Sequence, residues 1–129
     1  MIILDTHIWI WWVDNNVRLN QTYRNRIEEY QSQGLGISLI SCWEVAKLFE
    51  NHKLAFSISV EEWLTETLAY PGVQLLELTI PIIVESTKLT GFHRDPSDQL
   101  IVATARIHGC PLLTADAKIL GYPGVQTLK

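Results

Sequence analysis

The chain has 129 residues and a mass of 14.7 kDa, with 47% hydrophobic and 19% charged residues. That is the size of one domain, apolar enough to exclude wholesale disorder and to build a core without a disulfide or metal staple. The net charge of −4 and the pI near 5.5 argue against a broadly basic nucleic-acid binder, but not against a nuclease built around carboxylates.

Ile2, Ile3 and Leu4 followed by Asp5 predict a short apolar strand ending in an acid. With no basic segment and no small-residue cleavage site, this start reads as structure and not as a signal peptide. Residues 6–12 continue apolar and aromatic and predict a helix or a packed turn. The apolar run at 8–13 is far short of the roughly 20 residues of a membrane span. Tyr23, Ile27 and Tyr30 among charges give helical spacing over 21–33. Gly34-Leu35-Gly36 should end that helix, with a second strand at 37–40 and a helix opened by Ser41 through Glu50. A loop at 55–59 leads to a helix over 60–70, stopped by Pro71-Gly72. A third strand follows at 73–78, then a helix begun by Pro81 and ending near Gly91. Asp95-Pro96 starts a helix at 97–108 closed by Gly109, before a fourth strand at 111–114 and a fifth at 125–128.

Strands that are apolar throughout and alternate with helices imply a parallel sheet covered on both faces. The expected architecture is α/β: a single domain over 1–129, a three-layer sandwich with a central parallel sheet of about five strands flanked by helices. Ligands collect beyond the carboxyl ends of such strands, where strand order reverses. Cys42 and Cys110 show no metal-ligand spacing and read as free thiols of a reducing cytoplasm.

Four acids fall at those strand ends: Asp5, Glu44, Asp98 and Asp116. Three have ordinary structural readings. Ser41 and Glu44 fit a capping box, Asp95-Pro96-Ser97-Asp98 places acids at N-cap and N3, and Asp116 suits the cap of a short helix at 117–120. Asp5 has no obvious structural duty. Together, on one edge of a parallel sheet, the acids would repel; two carboxylates about 5 Å apart do so by roughly 3 kcal/mol at an effective dielectric of 20. Such a cluster demands protonation or a cation, and an all-oxygen site with open positions suits Mg²⁺ or Mn²⁺. Phosphodiester hydrolysis uses that site best.

The stretches Ile3-Leu4-Asp5-Thr6-His7, Ser41-Cys42-Trp43-Glu44-Val45-Ala46-Lys47, His93-Arg94-Asp95-Pro96-Ser97-Asp98-Gln99-Leu100-Ile101-Val102-Ala103-Thr104-Ala105 and Leu113-Thr114-Ala115-Asp116 come in a fixed order over nearly the whole chain. This ordered set resembles the PIN-domain family, specifically the VapC-type toxin ribonucleases of bacterial toxin–antitoxin pairs. The resemblance implies that Asp5, Glu44, Asp98 and Asp116 are catalytic, metal-binding acids and that Thr114 orients a ligand or water. Asp95, Thr6, His93 and Arg94 become supporting or substrate-contacting candidates. Gln99 departs from the arginine common after the aspartate in one subgroup. The same resemblance implies an Mg²⁺- or Mn²⁺-dependent endoribonuclease acting on RNA, masked by a small antitoxin, homodimeric, cytoplasmic and free of membrane.

Other residues have competing readings. His7, beside Asp5, can reach the acids but is expected to pack behind the first strand, and His93 and Arg94 are expected to sit exposed on a loop. His52 and His108 suit helix ends. Trp11 and Trp12 cannot both point inward from one regular element, so one should face a groove, a partner helix or a second subunit; Trp43 and Trp63 suit core or groove wall. Two other functions compete. An aspartyl-phosphate phosphatase would also use Asp5, yet its usual second aspartate is replaced by His7. A non-catalytic PIN-like module binding RNA or protein would have no need to keep all four acids.

Overall fold

The structure, a computed structural model, describes residues 1–128. Among these, strands β1 (Ile2–Leu4), β2 (Leu35–Ser38), β3 (Val73–Leu76) and β4 (Leu112–Leu113) form one parallel sheet in the order β3-β2-β1-β4. The helices are α1 (Thr6–Val13), α2 (Gln21–Tyr30), α3 (Leu39–Glu50), α4 (Val60–Leu68), α5 (Ile80–Ser86), α6 (Pro96–His108) and α7 (Ala117–Leu120).

Successive side chains of a strand point to opposite faces, and β1 shows the result. Ile2 and Leu4 enter one buried cluster with Trp9 of α1, Ile27 of α2 and Trp63 of α4. Ile3 enters a second cluster with Ile101 and Val102 of α6 and Ile119 of α7. All three strand residues are fully buried, each removal from water contributing about 1.5–3 kcal/mol. The three-layer α/β sandwich expected from the unbroken apolar strands is therefore present.

Helix α5 ends at Ser86 and β3 at Leu76, earlier than the sequence suggests, and the elements around the site differ from the sequence reading as follows. The sheet has four strands, not about five: of the segment 125–128, only Thr127 bridges to Leu112, next to the Pro123-Gly124 turn. Strand β2 starts earlier, at Leu35, and takes in Gly36. An added Cβ there would lie 2.7 Å from Leu76 Cδ1 and 3.1 Å from Ile3 Cγ1, so this glycine serves close strand packing and not helix termination. Consequently α3 begins at Leu39 with Ser38 as its cap, and the expected capping box of Ser41 and Glu44 does not form.

Strands β1, β2 and β3 proceed outward in one direction, and β4 returns to pair on the other side of β1. Strand order thus reverses between β1 and β4, the crevice where parallel sheets gather ligands. Asp5 follows β1, and Thr114 and Asp116 follow β4. Among the described residues, no helix is long and apolar enough to cross a membrane.

Candidate active site

Asp5 is the N-cap of α1, with extended backbone at φ −63° and ψ 155°. Its Oδ1 accepts the Thr6 amide at 2.8 Å and its Oδ2 accepts the Thr114 hydroxyl at 2.7 Å. Thr114 Oγ1 in turn accepts the Asp116 amide at 3.0 Å, so one buried hydroxyl ties the end of β1 to the turn after β4. Asp116 caps α7, accepting the amides of Lys118 at 2.8 Å and Ile119 at 3.3 Å.

Glu44 projects from α3 toward the start of α1. Thr6 Oγ1 lies 2.5 Å from Glu44 Oε1 and 2.8 Å from Ser41 Oγ. A hydroxyl has one proton; giving it to the carboxylate leaves Ser41 to donate to Thr6. Ser41 and Thr6 are both buried, which fixes this relay in place.

Asp98 occupies the first turn of α6. Asp95 caps that helix, accepting the amides of Ser97 at 3.0 Å and Asp98 at 3.4 Å, and Pro96 takes the first helical position as the sequence pattern predicts. His93 Nε2 lies 3.1 Å from Asp98 Oδ2 without the alignment of a hydrogen bond, so the contact is electrostatic and attractive when the imidazole is protonated. Gln99 Nε2 donates to the His93 carbonyl at 3.1 Å, which gives the departure from arginine a loop-holding role.

Asp5, Glu44, Asp95, Asp98 and Asp116 line one cleft of about 270 Å³, together with His7, Trp11 and Ala115. Among the described residues, no Lys or Arg is on its walls. Burial is the main influence that lifts Asp5 above the usual carboxylate range, opposed by the hydrogen bonds from Thr114 and Thr6. Burial likewise raises Glu44, against the Thr6 hydrogen bond and with the charges of Asp5 and Asp95 adding to the rise. Asp98 is pushed up to about 7, first by burial and then by the charges of Asp5, Asp95, Asp116 and Glu44. The cleft therefore holds more negative charge than it can keep ionised without a cation.

Among the described residues no three His, Cys, Asp or Glu side chains converge closely enough to form a ready-made ion cage. Open surroundings dominated by carboxylates, with His7 as the one imidazole among the described lining residues, fit Mg²⁺, which retains several waters and takes one or two carboxylates plus substrate oxygens, better than zinc.

Of the residues singled out from the sequence, the four strand-end acids and Asp95 meet in the cleft, while Thr6 and Thr114 stand behind them. Two expectations are corrected. His93 is half-buried against Asp98, and of the pair His93 and Arg94 it is Arg94 that is exposed. His7 does not pack behind β1: it is exposed and lines the cleft, because Asp5 starts the helix and turns the following residues along its rim. Trp11, one helical turn on, has its ring 6.0 Å from that of His7 and forms a wall. That i, i+4 pair was the overlooked signal. Trp12 instead packs edge-on to Tyr70, and Trp63 is buried while Trp43 is 55% exposed.

The family profile for the PIN domain matches residues 2–124. The chain belongs to the PIN-domain family. It is 31% identical over 122 residues to Ribonuclease VapC22 of Mycobacterium tuberculosis, covering 94% of this chain and 91% of that protein, which places it in the VapC group. Its fold is shared with VapBC2 from Rickettsia felis bound to a DNA fragment from their promoter, at a TM-score of 0.73, 18% identity, and coverage of 99% of this chain and 98% of that one. A toxin–antitoxin complex from Klebsiella pneumoniae matches at a TM-score of 0.69 and 23% identity, over 98% of this chain and 97% of that chain.

Proposed function

We propose that this VapC-type ribonuclease toxin is a divalent-metal-dependent endoribonuclease, with Asp5, Glu44, Asp98 and Asp116 holding one or two Mg²⁺ or Mn²⁺ ions. The observation that carries this reading is the meeting of these acids, from four separate chain segments, in one cleft without a neutralising Lys or Arg among the described residues. A bound ion supplies activation of water and neutralisation of the scissile phosphate.

The chain's own groups do the positioning. Thr114 and the Thr6 amide hold both oxygens of Asp5 and aim its remaining lone pairs into the cleft. Thr6 does the same for Glu44. Asp98, whose carboxyl is pushed up to about 7 by burial and the neighbouring acids in the ion-free protein, is the acid whose ionised form a bound cation would favour most. Asp95 secures the first turn of α6, and with it the position of Asp98. With both Asp5 oxygens already engaged by donors, attack by Asp5 on phosphorus in an aspartyl-phosphate mechanism is disfavoured.

The structural neighbours solved as VapBC2 and as a toxin–antitoxin complex support a small antitoxin as partner. Exposed Ile80, Ile83 and Val84 on α5 offer apolar surface for a homodimer, and the free thiols Cys42 and Cys110 suit a cytoplasmic location.

The test is cleavage of a panel of structured RNAs by wild type, Asp5→Asn and Asp98→Asn, each with Mn²⁺ and with EDTA. Cleavage only by wild type with metal is the expected result. Equal cleavage in EDTA, or full activity of Asp5→Asn, would overturn the reading.

A further inference from the structure

The acidic cleft does not end at its own walls. His7 lines it and also lines two adjoining depressions of about 150 and 230 Å³. Glu44 is shared with the smaller depression and Trp11 with the larger, while Leu48 and Lys53 are common to both depressions. The three are segments of one groove. Its character changes along its length: beyond His7 the walls carry Lys47, Lys53 and Arg18, opposed among the described lining residues by Glu44 at the near end and Asp14.

Trp43 stands at the entrance to this stretch. It precedes Glu44 on α3, yet its side chain projects outward and is more than half exposed. Lys47, one turn further along the helix, sits 5.9 Å from the centre of its ring and is anchored by a 2.7 Å ion pair to Glu50. The cation steadies the indole, while leaving ring surface open to solvent. A flat aromatic surface followed by cationic side chains is how proteins hold single-stranded nucleic acid without reading its sequence.

We propose that this groove is the track for the RNA strand flanking the scissile phosphodiester, with a base stacked on Trp43 and adjacent phosphates carried by Lys53 and Arg18. The proposal rests on the nuclease reading above, since it takes its origin from the phosphate at the acids. Charge decides the occupant: a chain with a net charge of −4 concentrates cations beside a cleft that must receive an anion. His7, at the junction of the three segments, is placed to meet the strand as it leaves the acids.

The test measures binding of a fluorescein-labelled 12-nucleotide single-stranded RNA in EDTA, and cleavage of the same RNA in Mn²⁺. The proteins are wild type, Trp43→Ala, the pair Arg18→Ala with Lys53→Ala, and Asp5→Asn, all confirmed folded by thermal melting. Loss of one stacked base should weaken binding by Trp43→Ala about five- to a hundredfold. The double variant should reduce the slope of log K against log salt by about 0.7 for each lost phosphate contact. Both should raise KM more than they lower kcat. Wild-type binding and KM in all three positions, with Asp5→Asn inactive, would overturn the track and leave the nuclease reading standing. Activity in Asp5→Asn would overturn the nuclease reading instead. Unchanged RNA affinity with impaired capture of a protein partner would assign the groove to that partner and also end the proposal.

Discussion

Thr114 Oγ1 donates to Asp5 Oδ2 at 2.7 Å, joining residues 109 apart in the chain. Its oxygen simultaneously accepts the Asp116 amide. One hydroxyl thus sets the rotamer of one acid and the backbone of another. Thr114→Val, which keeps the shape and deletes the hydroxyl, should lose about 1–3 kcal/mol of stability through the unpaired buried groups and at least tenfold in cleavage rate. Thr114→Ser should recover most of both. Urea melts and initial cleavage rates check this; a fully active Thr114→Val would show that the bond is incidental.

The ion-free protein should be more stable in mild acid than in mild base. Asp98 titrates near 7 in the fold against an ordinary value of 3.8, so between those limits the native state binds the extra proton. Stability is then fully present below about pH 4 for this group and falls as pH rises toward 7; Asp5 and Glu44, also raised, add in the same direction. In EDTA the Tm should be several degrees higher at pH 5.5 than at pH 8. Mn²⁺ should reverse the difference, because protons and cation compete for the same oxygens. A flat Tm profile in EDTA would contradict the repulsion.

Asp98→Asn should separate stability from activity. It removes a charge that burial and neighbouring acids oppose, so the ion-free variant should melt higher than wild type at pH 8, by about 1–3 kcal/mol after discounting for solvent screening and for the lost helix-end interaction. Cleavage should disappear. Asp5→Asn should gain less, since an amide nitrogen cannot accept from both Thr6 and Thr114. Calorimetry of the two variants in EDTA orders them.

Asp95 is expected to behave as a cap. Asp95→Asn retains an oxygen for the Ser97 and Asp98 amides and should keep most of the cleavage rate. Asp95→Ala should lose about 0.5–2 kcal/mol and misplace the first turn of α6. If Asp95→Asn proves as inactive as Asp98→Asn, the acid has a direct part in catalysis.

Gly72 offers a test of the scaffold. It has φ +85°, and a Cβ there would sit 2.2 Å from the Gln31 carbonyl oxygen, beside the point where Leu35 donates to Gly72. Both backbone strain and collision oppose Gly72→Ala, so at least 2 kcal/mol should be lost, measurable by urea denaturation.

The acids were readable from the sequence because Asp5 and Asp116 lie just beyond apolar strands, Glu44 lies in the helix that follows one, and Asp98 lies in the first turn of α6, and the parallel sheet gathers these positions at one edge. Capping and chemistry coexist at Asp5, Asp95 and Asp116, so a local capping pattern did not exclude membership of the cleft. What misled was register. Gly36 looked like punctuation because its packing against Leu76 and Ile3 depends on partners distant in sequence. Ser41 looked like a cap because nothing nearby announces its bond with Thr6. His7 reads as a packed residue in the sequence because its place depends on where α1 begins, a matter settled by the Asp5 side chain. The five-strand expectation overstated the segment 125–128, where the pattern was apolar but pairing is confined to one bridge.

The central position of β1 has a bearing on biogenesis. Its neighbour β4, and the Thr114 and Asp116 that complete the cleft, leave the ribosome more than a hundred residues after Asp5. Until they emerge, Asp5 lacks its hydroxyl partner and the crevice lacks one side. On the proposed metal-site reading, the chemistry of the cleft arises only once β4 and the turn after it have joined β1.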